Sequence, residues 1–158
     1  MGGTANAGQA GAANLAGSAG ASTCSDAVGS DISCTAISPG AGCAPFTMPL
    51  VSCITGKVTL KPKVAENLDT CITTLSALEL CDDTNTYECL YIALDAACAD
   101  SAAEATCQTI RATCTGVTQA ECVRYANGAS ATGLVAYQNC MVQSSACTPQ
   151  SCAAKLIY

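Results

Sequence analysis

The chain has 158 residues and a net charge of −6, and half of its residues are hydrophobic, but 30 are Ala, 14 are Cys and only 27 are Leu, Ile, Val or Phe. Because large apolar side chains contribute most of the free energy of burial, this composition excludes a large aliphatic core. With only six Lys or Arg residues, the chain has no basic surface for nucleic-acid binding. It contains no His, which is the commonest general base in enzymes. It also has no apolar run of about 20 residues, the length needed to span a membrane.

The N-terminal segment, 1–23, differs in composition from the rest of the chain. Residues 2–23 contain six Gly, eight Ala and no charged side chain. This composition is typical of a flexible tether or stalk. We therefore expect a tether over residues 1–23, followed by a disulfide-rich helical domain over 24–158. A bacterial lipoprotein carries its lipidated cysteine just before such a tether, so a lipid anchor upstream of residue 2 is one alternative.

Short helices separated by cysteine-bearing turns are predicted along the domain. Proline and glycine interrupt residues 24–58, where a single short helix is expected, whereas good helix formers dominate from about residue 60 onward. The predicted helices cover residues 44–55, 62–78, 85–98, 101–114, 118–127, 131–142 and 149–156. The predicted fold class is therefore mainly α: a small disulfide-stapled helical bundle or an array of short helices.

Start signals mark several of these helices. Asn85, Ser101 and Thr118 each lie three residues before a Glu, which is the pattern of a capping box. Pro62 and Pro149 suit the first helical position, where the missing proline N–H costs no hydrogen bond. The sequence therefore predicts where these helices begin more sharply than where they end.

The cysteines predict how the fold is held. They lie at positions 24, 34, 43, 53, 71, 81, 89, 98, 107, 114, 122, 140, 147 and 152. The count is even, and the C-x2-C and C-x-C pairs of most metal sites are absent. We therefore predict seven disulfides and an oxidising, extracytoplasmic compartment. Short turns permit Cys98–Cys107 and Cys122–Cys140, although spacing leaves the connectivity open.

The same spacings indicate an internal repeat. The chain divides into halves of seven cysteines, 24–89 and 98–152, and the longest interval of each half, 53–71 and 122–140, falls in the same place. A degenerate tandem duplication with a step of about 69 residues is one interpretation. Because seven is odd, full oxidation then requires at least one bridge between the halves.

Three stretches carry a resemblance to a known class of proteins. They are LKPKVAENLDTCI at 60–72, the stretch from Tyr87-Glu-Cys89 through Cys98-Ala-Asp100 to Cys114, and the stretch from Glu121-Cys122 to Cys140-Met141. Together with the Gly/Ala tether, they resemble the Cys-rich secreted proteins and lipoproteins that are abundant in myxobacteria and their relatives. The resemblance implies a secreted, disulfide-stapled helical protein, and it carries over no catalytic or binding residue.

Candidate chemistry is sparse. Asp82 and Asp83 could form part of a Ca²⁺ site, but an acidic turn that opens a helix is the favoured interpretation. Asp95 lies within a helix, with no second carboxylate fixed beside it for glycosidase chemistry. Tyr125 and Tyr137 are expected to form an aromatic contact between facing helices. Aromatic platforms for a sugar are few; they are Phe46, Tyr87, Tyr91, Tyr125, Tyr137 and Tyr158.

No catalytic, cofactor-binding or metal-ligating residue is therefore assigned, and no enzyme activity or cofactor is expected. The sequence favours a non-catalytic extracellular structural or interaction protein, secreted or at the outer cell surface. Its expected partners are further copies of itself or other extracellular proteins, as in a coat or fibre component. The alternative is a secreted ligand- or protein-binding module such as an inhibitor.

Overall fold

The structure, a computed structural model, describes residues 24–34, 37, 48–143 and 147–158. Seven α-helices lie within these residues, and 3₁₀ turns at Glu79–Cys81 and Ala154–Leu156 accompany them. The helices are α1 (Met48–Thr59), α2 (Pro62–Thr74), α3 (Asp83–Asp95), α4 (Ser101–Thr113), α5 (Gln119–Ala126), α6 (Ala131–Gln143) and α7 (Pro149–Ala153). The predicted mainly α, disulfide-stapled fold is confirmed. The tether predicted over 1–23 lies outside the described residues.

Several predicted helices have different bounds in the structure; the helix predicted over 85–98 is α3, which begins at Asp83 and ends at Asp95. The helix expected near 44–55 is α1, which runs on to Thr59, and residues 44–47 lie outside the described part of the chain. The helix predicted over 62–78 ends at Thr74, because Leu75 adopts an extended conformation (φ −68°, ψ 140°). Leu78, which extended the predicted apolar face, is consequently 84% exposed.

Aspartates cap two helices for which the sequence indicated other residues. The Asp82 carboxylate accepts a hydrogen bond from the Thr84 N–H at 2.9 Å and opens α3, so Asn85 is not the cap. Asp100 caps α4 through the N–H of Ala102 at 2.8 Å. Of the three predicted capping boxes, only the one at α5 is correct: the Thr118 hydroxyl accepts from the Glu121 N–H at 3.1 Å.

The buried core is thin and partly made of sulfur. Of the 31 buried hydrophobic residues in the described part of the chain, 13 are Cys or Ala. The largest fully buried side chains come from the α1–α2 junction, α2, α3, α4, α6 and the C-terminal turn: Leu60, Leu68, Ile72, Leu90, Leu94, Ile110, Tyr137, Met141, Leu156 and Ile157. Small side chains let helices approach closely but contribute little free energy each, so the bridges must supply much of the stability.

The cysteines are disulfide-bonded, as their even count predicted, but the pairs differ from those suggested by the short turns. All 13 cysteines among the described residues are disulfide-bonded. Six bridges are described: Cys24–Cys98, Cys34–Cys53, Cys71–Cys89, Cys107–Cys122, Cys114–Cys147 and Cys140–Cys152. The suggested Cys98–Cys107 and Cys122–Cys140 pairs are wrong. Cys107 and Cys114, on one face of α4, bridge to different neighbours.

The connectivity is the same in both halves at the positions that can be compared. The second cysteine pairs with the fourth, and the fifth pairs with the seventh, in 24–89 and again in 98–152. The first cysteines of the two halves, Cys24 and Cys98, pair with each other. Helices α2 and α6 both have 13 residues. They begin at equivalent positions of the two halves, after the short connections that follow α1 and α5. These regularities support the tandem-repeat interpretation.

Candidate functional site

The tyrosines of α3 and α5 lie close together in the structure. The rings of Tyr91 and Tyr125 are in contact, Tyr87 lies near enough to Tyr91 to raise the pKa of Tyr91, and Tyr158 lies near enough to Tyr87 to raise the pKa of Tyr87. Tyr137 lies fully buried, close enough to Tyr125 for their charges to interact. We call Tyr87, Tyr91, Tyr125 and Tyr158 the tyrosine surface, in which Tyr125 is itself buried beneath its neighbours at 8% exposure. The sequence listed these residues as scattered platforms, and the fold brings them together.

Two members of the tyrosine surface, Tyr87 and Tyr91, belong to α3. Tyr87 and Tyr91 are four residues apart, and residues at this spacing lie on one face of a helix. The Tyr91 ring meets the Tyr125 ring of α5 edge to face, with centroids 5.9 Å apart and planes at 71°. Edge-to-face packing is a favoured aromatic geometry. The expected ring contact of Tyr125 with Tyr137 is therefore replaced by a contact with Tyr91.

An ion pair fixes one end of the tyrosine surface. The Arg124 guanidinium donates to both carboxylate oxygens of Asp95, from Nε at 2.5 Å and from Nη2 at 2.6 Å. The hydrogen bonds from Arg124 hold the pKa of the Asp95 carboxyl below its usual range. The same guanidinium lies 5.4 Å from the centre of the Tyr125 ring. Arg124 thus clamps α5 to α3 and covers part of the Tyr125 face.

A second cation, Lys155, lies over the ring of Tyr158. The Lys155 ammonium lies 5.1 Å from the centre of the Tyr158 ring, which is 68% exposed. Burial raises the pKa of Tyr87, and the charges of Asp83 and Tyr158 raise it further. The Tyr87 phenol therefore remains protonated at neutral pH and can donate as well as accept a hydrogen bond.

A cleft opens beside Tyr125, between α5 and α7. Its volume is about 360 Å³, which falls in the usual range for small-ligand sites. The polar side chains along it are those of Glu121, Thr148, Gln150 and Ser151. Gln150 lies between the cleft and the tyrosine surface, because its amide is within hydrogen-bonding reach of the Tyr91 phenol. Burial raises the pKa of Tyr91, and the interaction with Gln150 lowers it. Glu121 is exposed, and its carboxylate makes no hydrogen bond or ion pair with the described residues.

Tyr137 lies beneath this region with an unsatisfied hydroxyl. Its side chain is fully buried, and its oxygen has no hydrogen-bond partner among the described residues. Burial raises the pKa of the Tyr137 phenol well above its ordinary value, and the charges of Tyr125 and Glu121 add to the shift. A buried hydroxyl without a hydrogen-bond partner lowers the free energy of unfolding.

The carboxylates considered from sequence have structural partners. Asp82 caps α3, and Asp95 pairs with Arg124. No group of three or more His, Cys, Asp or Glu side chains in the described part of the chain is placed to hold a metal ion. The Ca²⁺ interpretation of Asp82 and Asp83 therefore gains no support, and the helix-opening interpretation agrees with the cap.

Sequence reasoning missed the cleft and the convergence of the tyrosines. The four-residue spacing of Tyr87 and Tyr91 was a signal that they share a helix face. Nothing in the sequence placed Gln150 beside Tyr91, because that contact depends on how α7 packs against α3 and α5.

Comparison with protein-family models, with curated proteins and with solved structures gives no match. Within the described residues, no helix has the length and apolar character needed to cross a membrane.

Proposed function

We propose that this protein is a non-catalytic extracellular interaction protein, secreted or held at the outer cell surface, that binds a partner through the tyrosine surface and the adjoining cleft. The observation that carries the proposal is the edge-to-face contact of Tyr91 with Tyr125, next to a cleft that Tyr125 lines. Tyrosine is enriched at the energetic centres of interfaces, because its ring buries much area, its hydroxyl bonds, and it loses little rotamer freedom.

The disulfides support a preorganised surface. Cys71–Cys89 ties α3 to α2, Cys107–Cys122 ties α5 to α4, and Cys140–Cys152 ties α7 to α6. Each helix that contributes a wall of the cleft is therefore covalently attached to a neighbour. A rigid surface loses less entropy on binding than a mobile one, which favours affinity.

The location rests on the chemistry of the cysteines. Disulfides persist in oxidising compartments and are rare in the cytosol, where thiols are kept reduced. Thirteen disulfide-bonded cysteines among the described residues fit an extracytoplasmic protein. The finer assignment, to the secreted fraction or the outer cell surface, is part of the proposal.

A second candidate function, self-association into a coat or fibre, is favoured by α1. Val51, Ile54 and Val58 are 38%, 54% and 61% exposed, and their spacing places them along one helix face. Exposed apolar stripes of this kind mark contact surfaces. Light scattering coupled to size exclusion separates the two functions. A monomer that Ile54→Glu leaves unchanged supports partner binding, whereas an oligomer that Ile54→Glu dissociates supports self-association.

The tyrosine surface is tested by panning a random-peptide display library against the oxidised protein. We expect selected peptides to bind the Tyr91→Ala variant at least tenfold more weakly, about 1.4 kcal/mol, than the wild type. The matched control is Ile92→Ala, since Ile92 lies on the same helix and is 63% exposed but belongs to another face. Peptides that bind both variants as tightly as the wild type would contradict the proposal.

A further inference from the structure

The disulfide between Cys24 and Cys98 is the most accessible of the six described bridges. Cys24 is exposed and Cys98 is half-buried, whereas each of the other five bridges contains at least one buried cysteine. Exchange requires an incoming thiolate to reach a sulfur atom, so a bridge with a buried member is protected and an exposed one is not. Access therefore selects Cys24–Cys98.

A cleft of about 390 Å³ surrounds this bridge. Both cysteines line it, together with the charged side chains of Lys61, Asp26 and Asp100. This volume accommodates a small organic molecule. The two sulfurs are therefore accessible within a recess that has its own charged groups.

Two carboxylates and one ammonium line this cleft, so Lys61 offsets only part of its negative charge. Asp100 is bound to the Lys61 ammonium at 2.6 Å, and Asp26 accepts a hydrogen bond from the Cys98 N–H at 2.7 Å. The Lys61 ammonium thus offsets the charge of Asp100, whereas the Cys98 N–H is neutral and leaves the charge of Asp26 in place. Lys61 is the cation that lines this cleft, and a nearby ammonium stabilises a thiolate.

We propose that Cys24–Cys98 is a thiol–disulfide exchange site that accepts small extracellular thiols of the glutathione or cysteine type. The incoming thiolate attacks Cys24 Sγ, the Cys24–Cys98 bond breaks, and Cys98 leaves as a thiolate that takes up a proton from solvent. The product is a mixed disulfide at Cys24. A second equivalent of the thiol releases Cys24 as a thiol, so two external thiols are oxidised to one disulfide as one protein disulfide is reduced.

Hydrogen bonds of Asp26 and Ser30 keep the segment that follows Cys24 in place once the Cys24–Cys98 bridge opens. The backbone carbonyl of Asp26 accepts from the Lys63 N–H at 3.2 Å, and its carboxylate holds the Cys98 N–H. The backbone N–H and hydroxyl of Ser30 both donate to Glu66, each at 3.1 Å. The helical domain keeps the remaining described bridges, so exchange attaches a thiol at Cys24 without unfolding the helices. This proposal is independent of the tyrosine surface.

The experiment exposes the native, oxidised protein to reduced glutathione, stops the reaction with acid, alkylates free thiols and maps the cysteine peptides by mass spectrometry. We expect glutathione on Cys24 and the alkyl group on Cys98, at least about tenfold sooner than any other cysteine reacts. Prior reaction of another bridge, or simultaneous reaction of all cysteines, would overturn the proposal. A Cys24→Ser/Cys98→Ser double variant with unchanged helical circular dichroism should incorporate no glutathione under the same conditions.

A pair of lysine variants tests the electrostatic part. Lys61→Met should slow incorporation at Cys24 by about threefold or more, and Lys61→Arg should restore most of the rate. Lys63→Met is the matched control, because Lys63 is likewise ion-paired, with Glu66 at 2.9 Å, but does not line the cleft. Equal rates for Lys61→Met and the wild type would contradict the assignment of Lys61.

Discussion

Leu60 and Ala129, which belong to different halves of the chain, face each other in an isolated antiparallel bridge. Two hydrogen bonds close this bridge in a reciprocal way. They run from the Lys61 N–H to the Gly128 carbonyl at 2.9 Å and from the Ser130 N–H to the Thr59 carbonyl at 2.8 Å. The donor and the acceptor in one half thus have counterparts at the equivalent positions of the other half. The halves therefore meet around a local pseudo-twofold axis, where Cys24–Cys98 also links the first cysteines of the two halves.

The close approach at this junction depends on Gly133. A Cβ at this position would overlap the Thr59 carbonyl oxygen, which is part of the reciprocal pair. Gly133→Ala should therefore lower the free energy of unfolding by about 3 kcal/mol or more. Gly116→Ala is the control, since a Cβ there meets no atom within 4 Å, and it should change stability by less than about 1 kcal/mol. Guanidinium unfolding of both variants checks this, and equal stabilities would contradict the tight junction.

Asp100 has two separable roles, as the cap of α4 and as the partner of Lys61. Asp100→Asn keeps a good cap but removes the charge, and it should cost about 0.5–1 kcal/mol because the pair is only one-fifth exposed on each side. Asp100→Ala removes both roles and should cost about 1 kcal/mol more. Chemical denaturation of the two variants measures the difference. If Asn and Ala are equally destabilising, the cap contributes nothing.

Removal of the Tyr137 hydroxyl should stabilise the protein. The oxygen is buried without a hydrogen-bond partner in the described part of the chain, and an unsatisfied buried hydroxyl costs about 1–3 kcal/mol. Tyr137→Phe keeps the ring, so we expect an increase of about 1 kcal/mol in the free energy of unfolding. Tyr91→Phe is the comparison, because it removes a hydroxyl that lies within reach of Gln150 and should not stabilise. A destabilised Tyr137→Phe variant would show that the hydroxyl has a partner.

Acid should weaken the fold through its ion-paired carboxylates. Hydrogen bonds from Arg124 and Lys61 lower the pKa of Asp95 and Asp100, respectively, below the ordinary value. A carboxyl with a lowered folded-state pKa contributes stability above its unfolded pKa, about 3.9 for Asp, and loses it as pH falls through the folded value. The free energy of unfolding should therefore be steady from about pH 6 to pH 5 and fall below about pH 4.

Guanidinium unfolding at a series of pH values tests this dependence. The matched variant is Asp100→Asn, which cannot titrate at this position and should show a shallower fall below about pH 4 than the wild type. Identical acid dependence in the two proteins would exclude Asp100 as a contributor.

The positions of the helices could be predicted because their signals are local. Pro62 and Thr118 act within one turn of the chain, and α2 and α5 begin where they indicate. The end of α2 was missed because Leu75 continues the apolar periodicity, while the backbone turns away there. Asp82 and Asp100 were missed as caps because the capping-box pattern pointed to Asn85 and Ser101, whereas the helices begin earlier, at Asp83 and Ser101.

The disulfide pairs show the limit of sequence reasoning. Cys98 and Cys107 are close along the chain, yet each pairs with a cysteine brought beside it by the packing of another element. The tyrosine surface has the same origin, since Tyr91 of α3 and Tyr125 of α5 meet only when those helices pack.

The amino-acid sequence by itself determined a thin-cored, mainly helical protein that is braced by disulfides, because composition, capping residues and cysteine count act locally or by sum. Tertiary structure alone decided which cysteines pair, which tyrosines share a surface and that Leu60 meets Ala129. These outcomes depend on contacts between residues distant in sequence. Such contacts are fixed by the joint packing of all seven described helices and not by any one segment.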